Sequence, residues 1–170
     1  MELSVTQENF ARALSIVGRV ASNRTGLPIL GNILLRTDGT RLLVAATNLE
    51  IAATCYVGAK IVKQGDITLP ARLVSEYVSS LPKGTIELSS KGTSMTIASG
   101  NYSSIMTGVD ATEFPELPSI DEKQAVTYTI AEADFKQAIS QTIITTSNDT
   151  SRPVLTGVYW HTDGGQLYLA

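Results

Sequence analysis

The sequence predicts an α+β fold in which pairs of helices lie against antiparallel sheets. Three observations predict it: a 125-residue internal repeat, a strand–helix–three-strand pattern that occurs twice within the first copy, and a composition suited to a buried core. The 170 residues are 43% hydrophobic and 17% charged, with 13 Lys+Arg against 16 Asp+Glu and a net charge of −3. A chain this apolar and this sparsely charged folds rather than staying disordered. Its length suits one domain, or one plus part of a second. Cys55 is the lone cysteine, so no intrachain disulfide forms and a stapled secreted scaffold is excluded. The opening Met1-Glu2-Leu3-Ser4 carries an acid where a signal peptide needs positive charge, and no apolar h-region follows. No run approaches the ~18 apolar residues of a membrane span, so the expectation is a cytoplasmic protein without a membrane partner.

The repeat sets the domain organisation. An offset of 125 superposes Leu3–Ala45 on Tyr128–Ala170 without a gap, and 13 of the 43 positions are identical. Among these are Phe10/Phe135, Ala13/Ala138, Pro28/Pro153 and Leu30/Leu155, and Asp38-Gly39 recurs as Asp163-Gly164. An ungapped match across a helix, a loop and a hairpin turn marks tandem domains rather than two unrelated amphipathic segments. The first domain is expected over 1–120, the end of a linker over 121–125, and the start of an incomplete second domain over 126–170. Gly108–Gln124 holds five acids, Pro115 and Pro118, and only one base, Lys123. Such a stretch reads as a semi-rigid interdomain linker.

The elements follow in order. Glu2–Val5 reads as a short strand, and Thr6 as the cap of a helix whose apolar Phe10, Ala13, Leu14 and Val17 fall at i, i+3, i+4, i+7. Pro28 opens a strand over Ile29–Thr37, which turns at Asp38-Gly39 into Arg41–Ala46; glycine suits that tight turn because it tolerates positive φ. Glu50–Val57 is a third strand. The pattern then restarts with a strand at Asp66–Leu69 and a helix from Pro70 that buries Val74, Tyr77, Val78 and Leu81 and stops at Pro82. Strands Thr85–Ser89, Ser94–Ala98 and Tyr102–Thr107 complete the second half. With an uncovered sheet and few helices to bury it, 126–170 is expected to be poorly ordered or held by intermolecular strand pairing.

Searches for chemistry return little. There is no phosphate-cradling G-x-x-x-x-G-K-[ST], no G-x-G-x-x-G and no Cys/His cluster at metal-ligand spacing, so no cofactor or metal is expected. His161 stands at the repeat position of Arg36, just before a Thr-Asp-Gly turn, and reads as a strand-end surface residue. A Cys/His dyad would need Cys55 and His161 brought together from different domains. Asp38 and Asp163 are one turn residue in two copies, not an acid pair. These residues argue against an enzyme. Arg12 and Arg19, seven apart on the first helix, share a stripe off the core face, while Arg24 follows in the loop and Arg72 opens the second helix. Cations grouped on helix faces of an acidic protein attract phosphate locally; taken singly, each is better read as an ordinary solvated charge.

Leu27-Pro28-Ile29-Leu30-Gly31-Asn32-Ile33-Leu34, Ala46-Thr47-Asn48-Leu49-Glu50, Leu69-Pro70-Ala71-Arg72 and Phe114-Pro115-Glu116-Leu117-Pro118 resemble the bacterial DNA polymerase III β-subunit family, the sliding clamps, and the likeness spans the whole chain. The resemblance implies a DNA-clamp fold of three such domains per chain. Two chains form a head-to-tail homodimeric ring around double-stranded DNA, with helices lining the hole. It implies a non-catalytic processivity factor that tethers the replicative polymerase, the clamp loader and repair proteins through short peptide motifs. Residue by residue, it implies DNA contacts at Arg24 and Arg72 and in the loop of Asp149, Arg152, Pro153 and Val154, where an acid at Asp149 departs from phosphate binding. It implies a subunit interface at Leu73, Tyr77, Leu81, Ser104 and Met106, with plain core as the competing reading of Tyr77 and Leu81. Leu155 falls in the implied partner-peptide pocket. The rival class is a non-catalytic adaptor or scaffold module of the same fold that does not encircle DNA.

Overall fold

The computed structural model describes residues 1–21, 26–118 and 127–170. The chain divides into two compact units, Met1–Ser119 and Ile120–Ala170. The expected linker end at 121–125 lies outside the described residues.

In the first unit β1 (Glu2–Thr6) runs directly into α1 (Gln7–Val17), and a 3-10 turn at Pro28–Gly31 leads into β2 (Asn32–Asp38). Then come β3 (Arg41–Thr47), β4 (Ala52–Gly58) and β5 (Lys60–Lys63), followed by β6 (Asp66–Pro70) and α2 (Ala71–Ser80). β7 (Thr85–Lys91), β8 (Ser94–Ser99) and β9 (Tyr102–Thr107) finish the set. Two antiparallel sheets result, one ordered β5-β1-β7-β8-β9 and one ordered β4-β3-β2-β6. The halves exchange strands: β1 pairs with β7 of the second half, and β6 pairs with β2 of the first. Neither half therefore completes a sheet alone, and the halves fold as one unit.

Between the sheets and the helices lies one apolar core. α1 contributes Phe10, Ala13, Leu14 and Val17, and α2 contributes Ala71, Val74 and Val78. They meet Ile33, Leu35, Val44, Ile67, Ile86 and Leu88 from the strands. Each large side chain buried there contributes about 1.5–3 kcal/mol over leaving it in water. Gln7 locks the two helices together. Its backbone N–H donates to Gly84 O at 2.8 Å, and its buried Nε2 donates to Val78 O at 2.9 Å.

A second, smaller cluster covers the opposite face of the four-stranded sheet. Leu34, Leu43 and Ala45 pack there against Ala111 and Phe114, with Ile29 and Leu117 half-buried beside them. The segment after β9 is thus a strap across the sheet, which corrects the linker expectation for Gly108–Leu117. Phe114 and Ala111 anchor it apolarly, and Val109 pairs with Thr68 through backbone bonds of 3.0 and 3.1 Å. Asp110 caps the short 3-10 turn Ala111–Glu113 by accepting from the Thr112 N–H at 2.9 Å.

Four other local expectations change. Thr6 occupies the cap position, yet its side chain makes no capping bond, because Thr6 is still a ladder residue opposite Thr85. Pro28 opens a 3-10 turn instead of a strand, its ring holding φ near the helical value and its missing N–H costing nothing at a first position. The strand then begins at Asn32. β4 begins at Ala52, not Glu50. Asn48 Oδ1 accepts from the Glu50 and Ile51 N–H groups at 3.0 and 2.9 Å, closing a turn in which Leu49 takes a left-handed φ of 75°. Finally, the chain crosses from one sheet to the other after Gly58 and forms β5, an edge strand bounded by Lys60 and Lys63 that sequence pattern did not announce.

The second unit holds α3 (Glu132–Thr142), 3-10 turns at Ile143–Thr145 and Pro153–Thr156, and a hairpin of β10 (Trp160–Asp163) and β11 (Gln166–Leu169). α3 and the Pro153 turn stand 125 residues after α1 and the Pro28 turn, and Gly39 and Gly164 open their hairpin loops at φ 58° and 56°. Residues 127–131 form no strand. The counterparts of β5 and β7, which hold β1, fall at this offset beyond residue 170. Among its described residues the unit also shows no buried core: Phe135, Ala138 and Ile139 are half-buried where Phe10, Ala13 and Leu14 are sealed, and no described residue of 127–170 is buried. Tyr159 and Tyr168, the counterparts of strap-covered Leu34 and Leu43, are 67% and 50% exposed.

Candidate nucleic-acid interface

α1 and α2 lie side by side, and the groove between them collects Ser15 from α1, Arg19 from the turn just after it, and Arg72, Ser75 and Glu76 from α2. Amphipathic spacing dictates the arrangement, since each helix turns its apolar stripe to the sheets and leaves polar positions outward. Arg72 is 89% exposed, the second residue of α2, and its Nε donates to Glu76 Oε1 at 2.7 Å across one helical turn. That bond and the carboxylate's charge raise the guanidinium above its ordinary value, so Arg72 is cationic at any physiological pH.

Arg12 and Arg19 part company. Arg12 donates from Nη2 to Asn9 Oδ1 at 3.2 Å and lines a separate concavity with Ile16, Cys55 and Tyr56. α1 ends at Val17 and Gly18 caps it, so helical spacing no longer governs Arg19, which turns to the groove with Arg72. The expected single stripe is therefore corrected to two sites. Arg24 lies outside the described residues.

The loop of the second unit is tightly self-bonded. The Asp149 carboxylate accepts from the Ser151 N–H at 2.9 Å and from its hydroxyl at 2.8 Å, and these bonds lower its pKa, keeping it anionic. The Leu155 N–H donates to Arg152 O at 3.0 Å, and the Ser147 N–H to Leu155 O at 2.8 Å. Arg152 and Pro153 are exposed and Val154 is 85% exposed. Leu155 is 49% exposed, whereas Leu30 at the same place in the first unit is sealed.

The residues carried over for a subunit interface separate into two groups. Leu81 and Met106 are buried in the main core, packed by their own chain. Leu73 is exposed, Ser104 is half-buried, and Tyr77 is half-buried with a hydroxyl that is hidden from water and has no hydrogen-bond partner among the described residues. β9 itself is the outer strand of the five-stranded sheet. It carries no charge over Tyr102–Thr107, and Ile105 is 72% exposed. The other edge, β5, has a lysine at each end, the usual guard against strand addition. Sequence reasoning passed over Tyr102 and Ile105, though an uncharged terminal strand was the available signal.

No catalytic constellation accompanies these features among the described residues. Among the described residues no group of three His, Cys, Asp or Glu could hold a metal ion, and no helix is long and apolar enough to cross a membrane.

Comparisons with known proteins agree on one family. The beta sliding clamp of Synechococcus elongatus is 34% identical over 164 residues, covering 94% of this chain and 43% of the relative. The beta sliding clamp of Bacillus subtilis is 30% identical, covering 98% of this chain and 46% of its own length. The crystal structure of the Bacillus subtilis DNA polymerase sliding clamp superposes with a TM-score of 0.93 at 28% identity, over 99% of this chain and 46% of that one. The chain thus spans less than half the length of the relatives it matches. Residues 1–118 match the family model described as DNA polymerase III beta subunit, N-terminal domain, and the chain belongs to that family.

Proposed function

We propose that residues 1–120 are the N-terminal domain, and 126–170 the beginning of the second domain, of a sliding clamp. In this reading the complete protein is a non-catalytic processivity factor. Two chains close head-to-tail around duplex DNA in the cytoplasm and tether the replicative polymerase, the clamp loader and repair proteins through short peptides. The observation that carries it is the convergence of Arg19, from the turn that ends α1, and Arg72, from the start of α2, on one open groove whose described residues include no acid–base or nucleophilic constellation. Cations there engage phosphates without reading bases, which is what movement along DNA requires. Arg24 extends this set by family likeness. In the second unit the repeat position of Arg24 is the ionised Asp149, which opposes phosphate, so Arg152 is the cation available there, and Pro153 and Val154 offer packing alone. The uncharged β9 edge supports strand addition from a second subunit, and family likeness adds Leu73 and Tyr77 to the same interface. Leu81 and Met106 back that surface from within, and Ser104 lies along it. Leu155, left open to solvent, suits a partner-peptide pocket.

The experiment is retention of the full-length protein, loaded by its clamp loader, on circular against linear duplex. A ring stays on a nicked circle and runs off once the circle is cut. Equal loss from both forms would leave the adaptor reading standing.

A further inference from the structure

Glu76 lines the groove together with the two arginines and is the sole acid among the described residues that form it. It holds Arg72 by a single bond, Glu76 Oε1 to Nε at 2.7 Å, not by the two-pronged contact a carboxylate makes with the guanidinium fork. The Nη donors of Arg72 thus remain available, while a fixed negative charge sits beside the place a phosphate would take. Arg19 has no ion pair among the described residues. The two arginines of one groove are consequently unequal.

We infer that Glu76 is a positioning residue that tempers the grip of Arg72 on DNA. The inference rests on the clamp reading and deepens it. When Arg72 meets a phosphate, the Glu76 carboxylate loses part of its counter-charge and must recruit a solution cation. That uptake offsets the cation released from DNA, so the contact contributes less to affinity and to salt dependence than a free arginine would. Each such contact breaks easily, because a second acceptor for Arg72 stands one helical turn away. A protein that must stay on DNA by topology gains from contacts that exchange quickly.

The test uses the full-length ring and a labelled short duplex, with binding followed by fluorescence anisotropy across a salt series for wild type, Glu76→Gln, Arg72→Ala and the double variant. Gln keeps the acceptor for Nε and removes the charge. Glu76→Gln is expected to tighten binding about twofold to fivefold and to steepen the log–log salt slope by up to about 0.9 per chain. In the Arg72→Ala background the same change is expected to do markedly less, since the coupling runs through Arg72. Arg72→Ala with an unchanged slope overturns the DNA-facing reading itself. A lowered slope in Arg72→Ala with Glu76→Gln at or below wild-type affinity leaves that reading intact and overturns the role of Glu76. Both positions are exposed, and unchanged melting curves separate these results from misfolding.

Discussion

Gly108 stands where the chain leaves β9 and doubles back over β6, and the approach is too close for any side chain. A Cβ at this position would sit 2.0 Å from Thr68 O, 3.0 Å from Leu69 Cδ2 and 3.1 Å from the Thr68 carbonyl carbon. Two of the three are backbone atoms that no rotamer change can move. Gly108→Ala must push the strap off β6 by more than an ångström. That displacement takes the paired Thr68–Val109 backbone bonds of 3.0 and 3.1 Å out of range and strains the Gly108 N–H to Thr93 O bond of 2.7 Å. Thr68 is fully buried, so water cannot replace what is lost. Two buried backbone bonds left unmade cost about 1–3 kcal/mol each, hence about 2–6 kcal/mol in all. With a urea m-value of about 2 kcal/mol/M, the midpoint falls by about 1–3 M. Circular dichroism is the suitable probe, because the only tryptophan, Trp160, reports on the other unit. Gly58→Ala is the matched control, since its Cβ would meet nothing within 4 Å and its φ is not left-handed. It is expected to stay within about 1 kcal/mol of wild type. A Gly108→Ala protein as stable as the Gly58→Ala control would refute the geometric argument.

Other perturbations follow from the same structure. Phe114→Ala, removing the strap's buried ring, should cost about 2–4 kcal/mol in urea melts and expose the strap to protease; a loss below about 1 kcal/mol would mean the strap is not part of the fold. The bonds from Thr112 lower the Asp110 pKa in the folded chain. Their contribution is therefore complete above the ordinary aspartate value of about 3.9 and disappears as pH falls through the lowered folded value. An NMR titration of this carboxyl with a midpoint at or above about 3.9 would contradict that sign. Amide exchange should be much slower across α1 and α2 than across α3 and the β10–β11 hairpin, which lack a buried core; equal protection at low concentration would show that 127–170 is stable alone. Ile105→Lys, placing a charge on the open edge of β9, should weaken dimerisation of the full-length protein at least tenfold in sedimentation while leaving its melting curve unchanged.

Repetition and periodicity are legible in the sequence itself. The offset of 125 places α3 on α1 and the Pro153 turn on the Pro28 turn, and the i, i+3, i+4, i+7 pattern selects the four apolar residues that α1 buries. The misreadings occur where tertiary context outweighs local preference. Thr6 has the chemistry of a cap but is committed to a ladder with Thr85, a partner 79 positions away. The 108–117 stretch has a linker's composition, and only the apolar outer face of Leu34, Leu43 and Ala45 makes a strap of it. β5 is four residues of KIVK whose strand state comes from pairing with β1. For the site, Arg72 could be picked out from its motif, but its companionship with Arg19 could not. That pairing depends on α1 stopping at Val17 and on α2 lying alongside it.

In the clamp reading the α1–α2 groove faces the DNA backbone while the sheets face away. With Cys55 and any further cysteine of the full-length chain replaced by alanine, a photo-crosslinker is attached at Ser15→Cys, on the groove, or at Glu87→Cys, an exposed position on β7, and full-length rings are loaded on nicked circular duplex. Crosslinks to DNA should form from position 15 and be absent from position 87. Adducts of equal yield from both positions, or from position 87 alone, would contradict the account.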